Sequence, residues 1–292
     1  MLNRAGYPGA VRASDTAIGP ITVAAIEQYV PRERRLFTDE LALAMLPPAG
    51  RRLVAAARWQ PVRGALLWAM GRAVGASVLL WMVCRKRYLD DVVTAAIADG
   101  CEMVVILGAG FDTRGYRSGG EAPVLEADQP VNIAAKRSRM PVPEHVTLVP
   151  IDFETEDLAE VLARHGYRTD RRTVFVWEGV TQYLTENAVR ATLSALADAA
   201  PGSRLGFTYV LADFLDGVDL DGLEGFHRRH VVRDKLWLFG LAPDRVGPLL
   251  AEYGWRETEQ LDDTACRTRY LDPARRPGRV TRIERCVLAE KV

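Results

Sequence analysis

The sequence has no excess of charge of either sign and little cysteine. It contains 38 basic and 38 acidic residues among 292, so its formal net charge is zero. A chain without a global positive field is a poor candidate for nucleic acid as its main partner, and a small or neutral partner is expected. The four cysteines lie far apart and form neither a CxxC pair nor a zinc-ligand spacing. We therefore expect reduced, buried thiols and no metal.

The sequence also lacks an apolar leader and a convincing membrane span. Its beginning, MLNRAGYPGA, has no hydrophobic stretch of the secretory type, which predicts a cytoplasmic protein. Residues 65–84 are strongly apolar, but Arg72 interrupts them, and a charge near the centre of a span is costly in lipid. We predict a buried pair of cap helices there. Its large side chains either line an apolar pocket or pack in the core: Trp68, Met70, Trp81 and Met82.

What the chain does contain is an alternation of short apolar runs with amphipathic stretches from about residue 86 onward. This pattern predicts an α/β fold in which helices wrap a parallel sheet. The runs expected to be strands are 103–107, 123–127, 146–150, 173–177, 204–210 and 279–289. The helical periods between them are 88–99, 131–139, 157–165, 186–199 and 243–253.

The regions outside this alternation differ from it. Residues 1–85 show helical patterns, at 21–29 and 39–45 for example, and no convincing strand, which predicts an N-terminal helical cap on a core spanning 86–292. Residues 211–236 are charged, irregular and glycine-containing, and so long an insertion in a compact domain is usually functional. We predict a lid inserted at about 211–240. It carries the cluster His227, Arg228, Arg229 and His230.

A glycine-rich turn directly after the first predicted strand is the strongest local signal. In MVVILGAGFDTRGYR the apolar run ends at Gly108, Ala109 and Gly110, and glycines there let the backbone turn sharply and approach a ligand. Eighteen residues past Gly108, Glu126 lies near the end of the next predicted strand, where a doubly wound sheet places an acid against ribose hydroxyls. The turn therefore predicts a nucleoside cofactor.

Two residues distinguish a dinucleotide from another nucleoside cofactor. Thr113 stands where the GxGxxG pattern has its third glycine, and the carboxylate of Asp112 would repel a pyrophosphate at short range. The same negative charge favours a cationic ligand. S-adenosylmethionine, which carries a sulfonium and an ammonium and no phosphate, is such a ligand. An NAD-dependent oxidoreductase is the weaker alternative.

Several segments together carry a family resemblance: SDTAIGPITVAAIEQY, CRKRYLDD, LGAGFDTRGYR, LEADQPVNIAAKR, VPIDF, VFVWEGVTQYL, APGSRLGFTYV and LWLFGLAPDRVGPLLAEYGW. Through them nearly the whole chain resembles the leucine carboxyl methyltransferase family of class I S-adenosylmethionine-dependent methyltransferases, including its bacterial branch of natural-product enzymes. The resemblance implies a doubly wound, mostly parallel sheet of seven strands, a Rossmann-like fold, and S-adenosylmethionine as the cofactor.

The resemblance also implies roles for residues at the ends of core strands. Arg85, beside Lys86 where the family often has threonine, would bind the methionyl carboxylate, a task suited to a bidentate guanidinium. Glu178 in WEGV would meet the α-ammonium, and an acid at the exit of a buried strand needs a cationic partner. The other cofactor-binding residues that the resemblance implies are Gly108, Gly110, Asp112, Glu126, Asp152 and Phe153.

Some of these residues have structural alternatives. Asp152 is also placed to cap a helix that begins near Glu154. Asp112 and Arg114 could pair with each other and brace the loop instead of contacting a ligand. Tyr183 in TQYL either points at the methyl acceptor or packs under the sheet.

The acceptor implied by characterised members of the family is a carboxylate, which is ionised at neutral pH and needs no general base. An arginine would steer it, with Arg114, Arg228 and Arg229 as candidates. A phenol or alcohol acceptor would instead require a base such as His227 or His230. We expect a small hydrophobic acid, with a peptide carboxyl terminus as the alternative and a cofactor-binding protein without turnover as a distant third. The side chains that suggest an apolar acceptor are Trp59, Trp68, Trp81 and Trp237.

Overall fold

Seven strands form the centre of the molecule. The computed structural model describes the backbone from residue 13 and the side chains from Ile18; the opening MLNRAGYPGA lies outside these described residues. In chain order the strands are β1 (Met103–Leu107), β2 (Val124–Asp128), β3 (Val146–Pro150), β4 (Thr173–Trp177), β5 (Arg204–Val210), β6 (Trp255–Leu261) and β7 (Glu284–Lys291). Their order in the sheet is β3-β2-β1-β4-β5-β7-β6. The first five are parallel, and β7 runs antiparallel to both β5 and β6.

Helices precede the sheet and connect its strands. In chain order they are α1 (Ala13–Glu27), α2 (Pro48–Ala55), α3 (Gln60–Val74), α4 (Ala76–Ala98), α5 (Arg114–Arg117), α6 (Pro130–Arg139), α7 (Leu158–Arg164), α8 (Glu186–Ala195), α9 (Ala212–Leu215), α10 (Glu224–His227), α11 (Pro243–Ala251) and α12 (Asp263–Cys266).

The central strands are buried on both faces. Every residue of β1, β2 and β4 is buried, as expected of parallel strands that have helices on either side. Val104 and Ile106 of β1 belong to the core shared with α1 and α4, whereas Val105 and Leu107 belong to the core shared with α7, α8 and α11. This arrangement brings the carboxyl ends of β1, β2 and β4 to one edge of the sheet.

The predicted doubly wound α/β fold is confirmed, and β1, β3, β4 and β5 have the predicted bounds. The C-terminal prediction was wrong in two respects. The last strand begins at Glu284 instead of residue 279, and β6 was missed because its sequence, WRETEQL, is that of a mostly polar edge strand. Residues 39–45 form turns instead of a helix, since so short an amphipathic segment is not a stable helix by itself.

The apolar stretch 65–84 is divided between α3 and α4, which meet at a sharp bend. Gly75 lies at the bend with φ 97°, and a Cβ there would meet Cδ2 of Leu223 at 2.5 Å, so the position requires glycine. The two helices are bent by 103°. Among the described residues no single helix has the length and apolarity of a membrane span; this bent pair reaches them together, by length and composition only. The boundary proposed between residues 85 and 86 falls inside the continuous helix α4.

Residues 211–240 leave the sheet after β5 and return beside it, where Leu211 pairs with Leu241. The segment was predicted to be irregular, but it contains α9, α10 and a π-helix at Arg228–Arg233. Its large apolar side chains pack against α4 and the sheet. The burial of this apolar surface stabilises an ordered conformation of the segment. The buried members of this small core are Val78, Val210, Phe214, Leu223, Trp237 and Ile283.

Candidate active site

A small cavity lies at the carboxyl ends of β1 and β4. It measures about 80 Å³, and the loop that follows β1 lines it. Gly108 in this loop has φ 66°, and a Cβ there would collide with the side chain of Val180, so only glycine permits this path of the backbone. From the loop, Gly108, Gly110 and Asp112 line the cavity. The lining residues outside β1 and its loop are Pro20, Ile21, Arg85, Lys86, Glu178 and Gly179.

Glu178, the first residue after β4, is held between two arginines. Its Oε1 accepts a hydrogen bond from Nε of Arg85 at 3.2 Å, and its Oε2 accepts one from Nη2 of Arg114 at 2.9 Å. Nη1 of Arg85 also donates to both carboxylate oxygens of Glu284, at 2.8 and 3.0 Å. Burial alone would lower the pKa of Arg85, but the charges of Glu284 and Glu178 raise it above its ordinary value. The guanidinium therefore stays charged beside the carboxylate.

Sequence reasoning paired Arg85 with Glu178 as the two ends of one amino-acid site, and the structure brings them together. It missed Glu284, which begins β7 and belongs to no motif of the resemblance. The only available signal was an acid at the start of a strand whose other members are mostly apolar.

Asp112 and Arg114 form the core of a buried ion network. Oδ2 of Asp112 accepts from Nη1 of Arg114 at 2.6 Å, and Oδ1 accepts from Nζ of Lys86 at 2.7 Å. Nε of Arg114 donates to Asp90 at 2.6 Å, so with Glu178 it has three carboxylate partners. Burial alone would raise the pKa of Asp112, but the charges of Arg114 and Lys86 hold it well below its ordinary value. Asp112 and Arg114 therefore pair with each other and brace the loop, which is the structural alternative considered above. Each nitrogen of the Arg114 guanidinium group has a carboxylate partner.

Asp128, not Glu126, is the acid of β2 that contacts the glycine loop. Oδ2 of Asp128 accepts a hydrogen bond from the backbone N–H of Gly110 at 2.5 Å. Glu126 is fully buried, pairs with Nζ of Lys136 at 2.5 Å, and does not line the cavity. The two acids point to the same face of the strand, and Asp128 is its last residue. The predicted strand ended one residue before Asp128, and the contact of Glu126 with the ribose stays a prediction.

Asp152 and Phe153 follow β3 and do not line the cavity. Oδ1 of Asp152 accepts from the backbone N–H of Glu154 at 3.0 Å, so its side chain stabilises the turn after the strand. Phe153 is partly buried and packs against the core on the α7 and α8 side of the sheet. Their place at the edge next to β2 agrees with the predicted adenosine side of the site, but no described contact assigns them a ligand.

Tyr183 and the two histidines belong to an aromatic cluster. Tyr183 packs edge-on against Trp237 with ring centroids 6.5 Å apart, and its neighbourhood includes Arg85. His230 lies 4.2 Å from the ring of Phe226, and Nε2 of His227 lies 3.2 Å from the carbonyl oxygen of Leu215. Burial and then the charge of Arg229 lower the pKa of His230. Neither histidine lines the small cavity at the carboxyl ends of β1 and β4.

The remaining predictions concern cysteines, metals and tryptophans. The four cysteines are free and buried. In the part of the chain that the structure describes, no group of three or more His, Cys, Asp or Glu residues could hold a metal ion. Trp59 and Trp68 are exposed and line neither a described cavity nor the core, whereas Trp81 is fully buried in the core, which is the packing alternative.

The fold and this site define a class of protein. The mostly parallel seven-stranded sheet with its antiparallel β7, the glycine loop after β1, and the acids that end β2 and follow β4 are the features of a class I S-adenosylmethionine-dependent methyltransferase. The chain belongs to the leucine carboxyl methyltransferase family, whose sequence model matches residues 17–197. Its cofactor is S-adenosylmethionine.

Individual relatives agree with this assignment. Proteins of Frankia alni and Streptomyces coelicolor, both named "Putative S-adenosyl-L-methionine-dependent methyltransferase", are 32% identical over 260 residues and 30% identical over 248 residues. The first match covers 86% of this chain and 85% of the relative, and the second covers 82% of each. A DUF574 family protein from Streptomyces avermitilis has a similar fold, with a TM-score of 0.57 at 15% identity, covering 92% of this chain and 97% of its own.

We predict that Asp112→Asn destabilises the folded protein by roughly 3 kcal/mol near neutral pH, because it leaves the buried cations of Arg114 and Lys86 partly unpaired. Chemical denaturation measures the difference.

The pKa of Asp112 is lowered below its ordinary 3.8 in the folded protein, so the stability that the Asp112 carboxylate contributes is complete above that pH and is lost as the pH falls below it. The gap between wild type and variant should therefore close below about pH 3.8. Asp216→Asn, at an exposed position, is the matched control; an equal loss there would contradict the network's role.

The two acids of β2 should differ in their effect on the donor. Asp128→Ala removes the acceptor that fixes the Gly110 N–H, and we expect it to weaken binding of S-adenosylhomocysteine about tenfold or more in calorimetry. Glu126→Gln should lower the melting temperature, because it leaves Lys136 buried without a countercharge, while the folded fraction binds within about threefold of wild type. The reverse order of affinities would assign the ribose side to Glu126 after all.

Proposed function

We propose that the protein transfers the methyl group of S-adenosylmethionine to the carboxylate of a small hydrophobic metabolite and forms a methyl ester. The proposal rests on how the ionisable groups are paired in the cavity at the carboxyl ends of β1 and β4, which we call the donor cavity. Arg85, Lys86, Asp112 and Glu178 are all engaged in ion pairs, and the candidate bases of the sequence pack elsewhere. A carboxylate acceptor needs no base, so these groups suit it better than they suit a hydroxyl.

The charges of the cavity fit the amino-acid end of the donor. Glu178 would receive the α-ammonium, and Arg85, held in place by Glu284, would bind the α-carboxylate. Gly108 and Gly110, both at positive φ, give the loop its sharp turn, and Asp128 fixes the loop at Gly110. When bound, S-adenosylmethionine supplies a methyl group on a positively charged sulfur, which keeps the electron pair of the broken bond while the carboxylate oxygen takes the methyl, so no proton moves.

The cavity is small for the donor, and we propose that α1 shifts when the donor binds. A volume of about 80 Å³ is well below the 300 Å³ or so that typical cofactor sites occupy. Pro20 and Ile21 of α1 lie against it, so a small displacement of this helix would enlarge it. In its present position α1 excludes water from the charged residues, which strengthens their interactions. The protein's own contribution to the rate is then alignment and exclusion of water.

Two finer statements accompany the proposal. Arg228 and Arg229 of the lid are exposed and form no ion pair with the described residues, whereas the arms of Arg114 are all paired, so we propose that the two lid arginines attract the acid. The four free, buried thiols fit a reducing compartment, so we propose that the enzyme works in the cytoplasm.

The reaction class is tested with methyl-labelled S-adenosylmethionine and a panel of hydrophobic carboxylic acids. We expect a labelled product that releases volatile methanol in mild base, as an ester does and an ether does not. The dependence of kcat/KM on pH should show no group with a pKa near 7, and His227→Asn and His230→Asn should leave that profile unchanged. A base-stable product, or a profile abolished by either histidine substitution, would replace the carboxylate with a hydroxyl acceptor.

A further inference from the structure

A second and larger cavity lies between the cap helices, residues 221–223 of the lid and residues 276–279. It has a volume of about 480 Å³, within the range of sites that take small molecules. Helices α1 and α4 supply about half of its wall, the segments 221–223 and 276–279 supply most of the rest, and none of the four tryptophans named from the sequence lines it. Its main apolar side chains are Val23, Ile26, Leu67, Leu79, Leu80 and Val83.

The charged residues of this cavity are paired with one another. Nη1 of Arg276 donates to both oxygens of the buried Glu27, at 2.7 and 3.0 Å. Asp221, also buried, accepts from Arg279 and from Oγ1 of Thr281, the latter at 2.8 Å. Because each carboxylate already has a cationic partner, the wall offers no free charge to a ligand. The part of a ligand that enters this cavity must therefore be apolar.

The larger cavity and the donor cavity follow one another along the same two helices. On α4, Leu79 and Val83 line the larger cavity, and Lys86 lines the donor cavity. Positions 79, 83 and 86 share one face of a helix, and the step from Val83 to Lys86 is about 4.5 Å along the axis. On α1, Val23 lines the larger cavity and Ile21 the donor cavity. Lys86, in the donor cavity, is therefore less than one helical turn along α4 from Val83 in the larger cavity, and we call this stretch of α4 the junction of the two.

Lys86 has the chemistry to receive an anion at this junction. It is buried, and among the residues whose side chains are described its Nζ has one hydrogen-bond partner, Asp112 at 2.7 Å. An ammonium group has three donors, so two remain for another acceptor. Arg114 also donates to Asp112, so this carboxylate is not held by Lys86 alone.

We propose that the larger cavity is the acceptor site: it holds the apolar body of a carboxylic acid whose carboxylate points toward Lys86 at the edge of the donor cavity. The inference rests on the proposed carboxyl methylation and adds to it the location, the orientation and the amphiphilic class of the acceptor. It also makes Lys86 the residue that selects an acid over an uncharged molecule of the same shape.

Binding of decanoate and of 1-decanol, measured by calorimetry with S-adenosylhomocysteine present, tests the cavity without requiring turnover. We expect decanoate to bind, and Leu80→Trp, which fills the cavity from a half-buried position, to weaken it about tenfold or more. Leu67→Trp, from the opposite helix, should do the same. Leu53→Trp, the same substitution at an exposed site, is the control and should bind like wild type. Each variant is first checked for a cooperative thermal transition.

The role of Lys86 has its own readout in the preference for the acid over the alcohol. Lys86→Met should reduce the ratio of decanoate to decanol affinity about tenfold or more, with decanol affinity little changed, and Lys86→Arg should retain the preference. A merely structural role would lower both affinities together. Failure of decanoate to bind, or unchanged binding by both cavity-filling variants, overturns the proposal.

The two proposals fail in distinguishable ways. If decanoate binds as expected but no acid of the panel yields a methyl ester, carboxyl methylation is wrong and the acid-binding cavity stands. If methyl esters form with the same KM in wild type, Leu80→Trp and Leu67→Trp, carboxyl methylation stands and the acceptor lies elsewhere.

Discussion

The carboxylate of Glu178 between the guanidinium groups of Arg85 and Arg114 is the interaction on which the rest of the site depends. Glu178 follows β4, Arg85 belongs to α4 of the cap, and Arg114 begins α5 after the glycine loop. Three separate parts of the chain are therefore fixed to one point at the sheet edge. Charges buried this deeply are stable only when paired. Each of these side chains must therefore pair with another side chain of the network or with an oppositely charged group of a ligand.

The strands that could be predicted from the sequence are those buried on both faces, because such strands are apolar throughout. That condition holds for β1 and β4, whose bounds follow directly from their apolar runs. It fails for β6, where exposed and half-buried polar residues alternate at the edge of the sheet, and pattern alone does not separate such a strand from a loop. The short segment at 39–45 has helical spacing, yet tertiary packing decided its conformation.

The site was predictable where residues follow the ends of central strands. Glu178 follows β4 and lies within hydrogen-bond distance of Arg85, and the loop at Gly108, after β1, has the backbone that only glycine permits. The acid of β2 that contacts the glycine loop, Asp128, lies two residues past Glu126, and the end of a strand is its least visible part in a sequence. Glu284 and the larger cavity depend on contacts between segments some 200 residues apart, such as the pair of Arg85 with Glu284, and no local pattern encodes them.

The most direct test of the account compares S-adenosylhomocysteine with 5′-methylthioadenosine, which lacks the amino-acid group, in calorimetric titrations of wild type and Glu178→Gln. The account predicts that wild type prefers S-adenosylhomocysteine, and that the variant, once shown to be folded, loses about tenfold or more of that preference while its affinity for methylthioadenosine stays within about threefold. Equal affinities in wild type, or an undiminished preference in the variant, would contradict it.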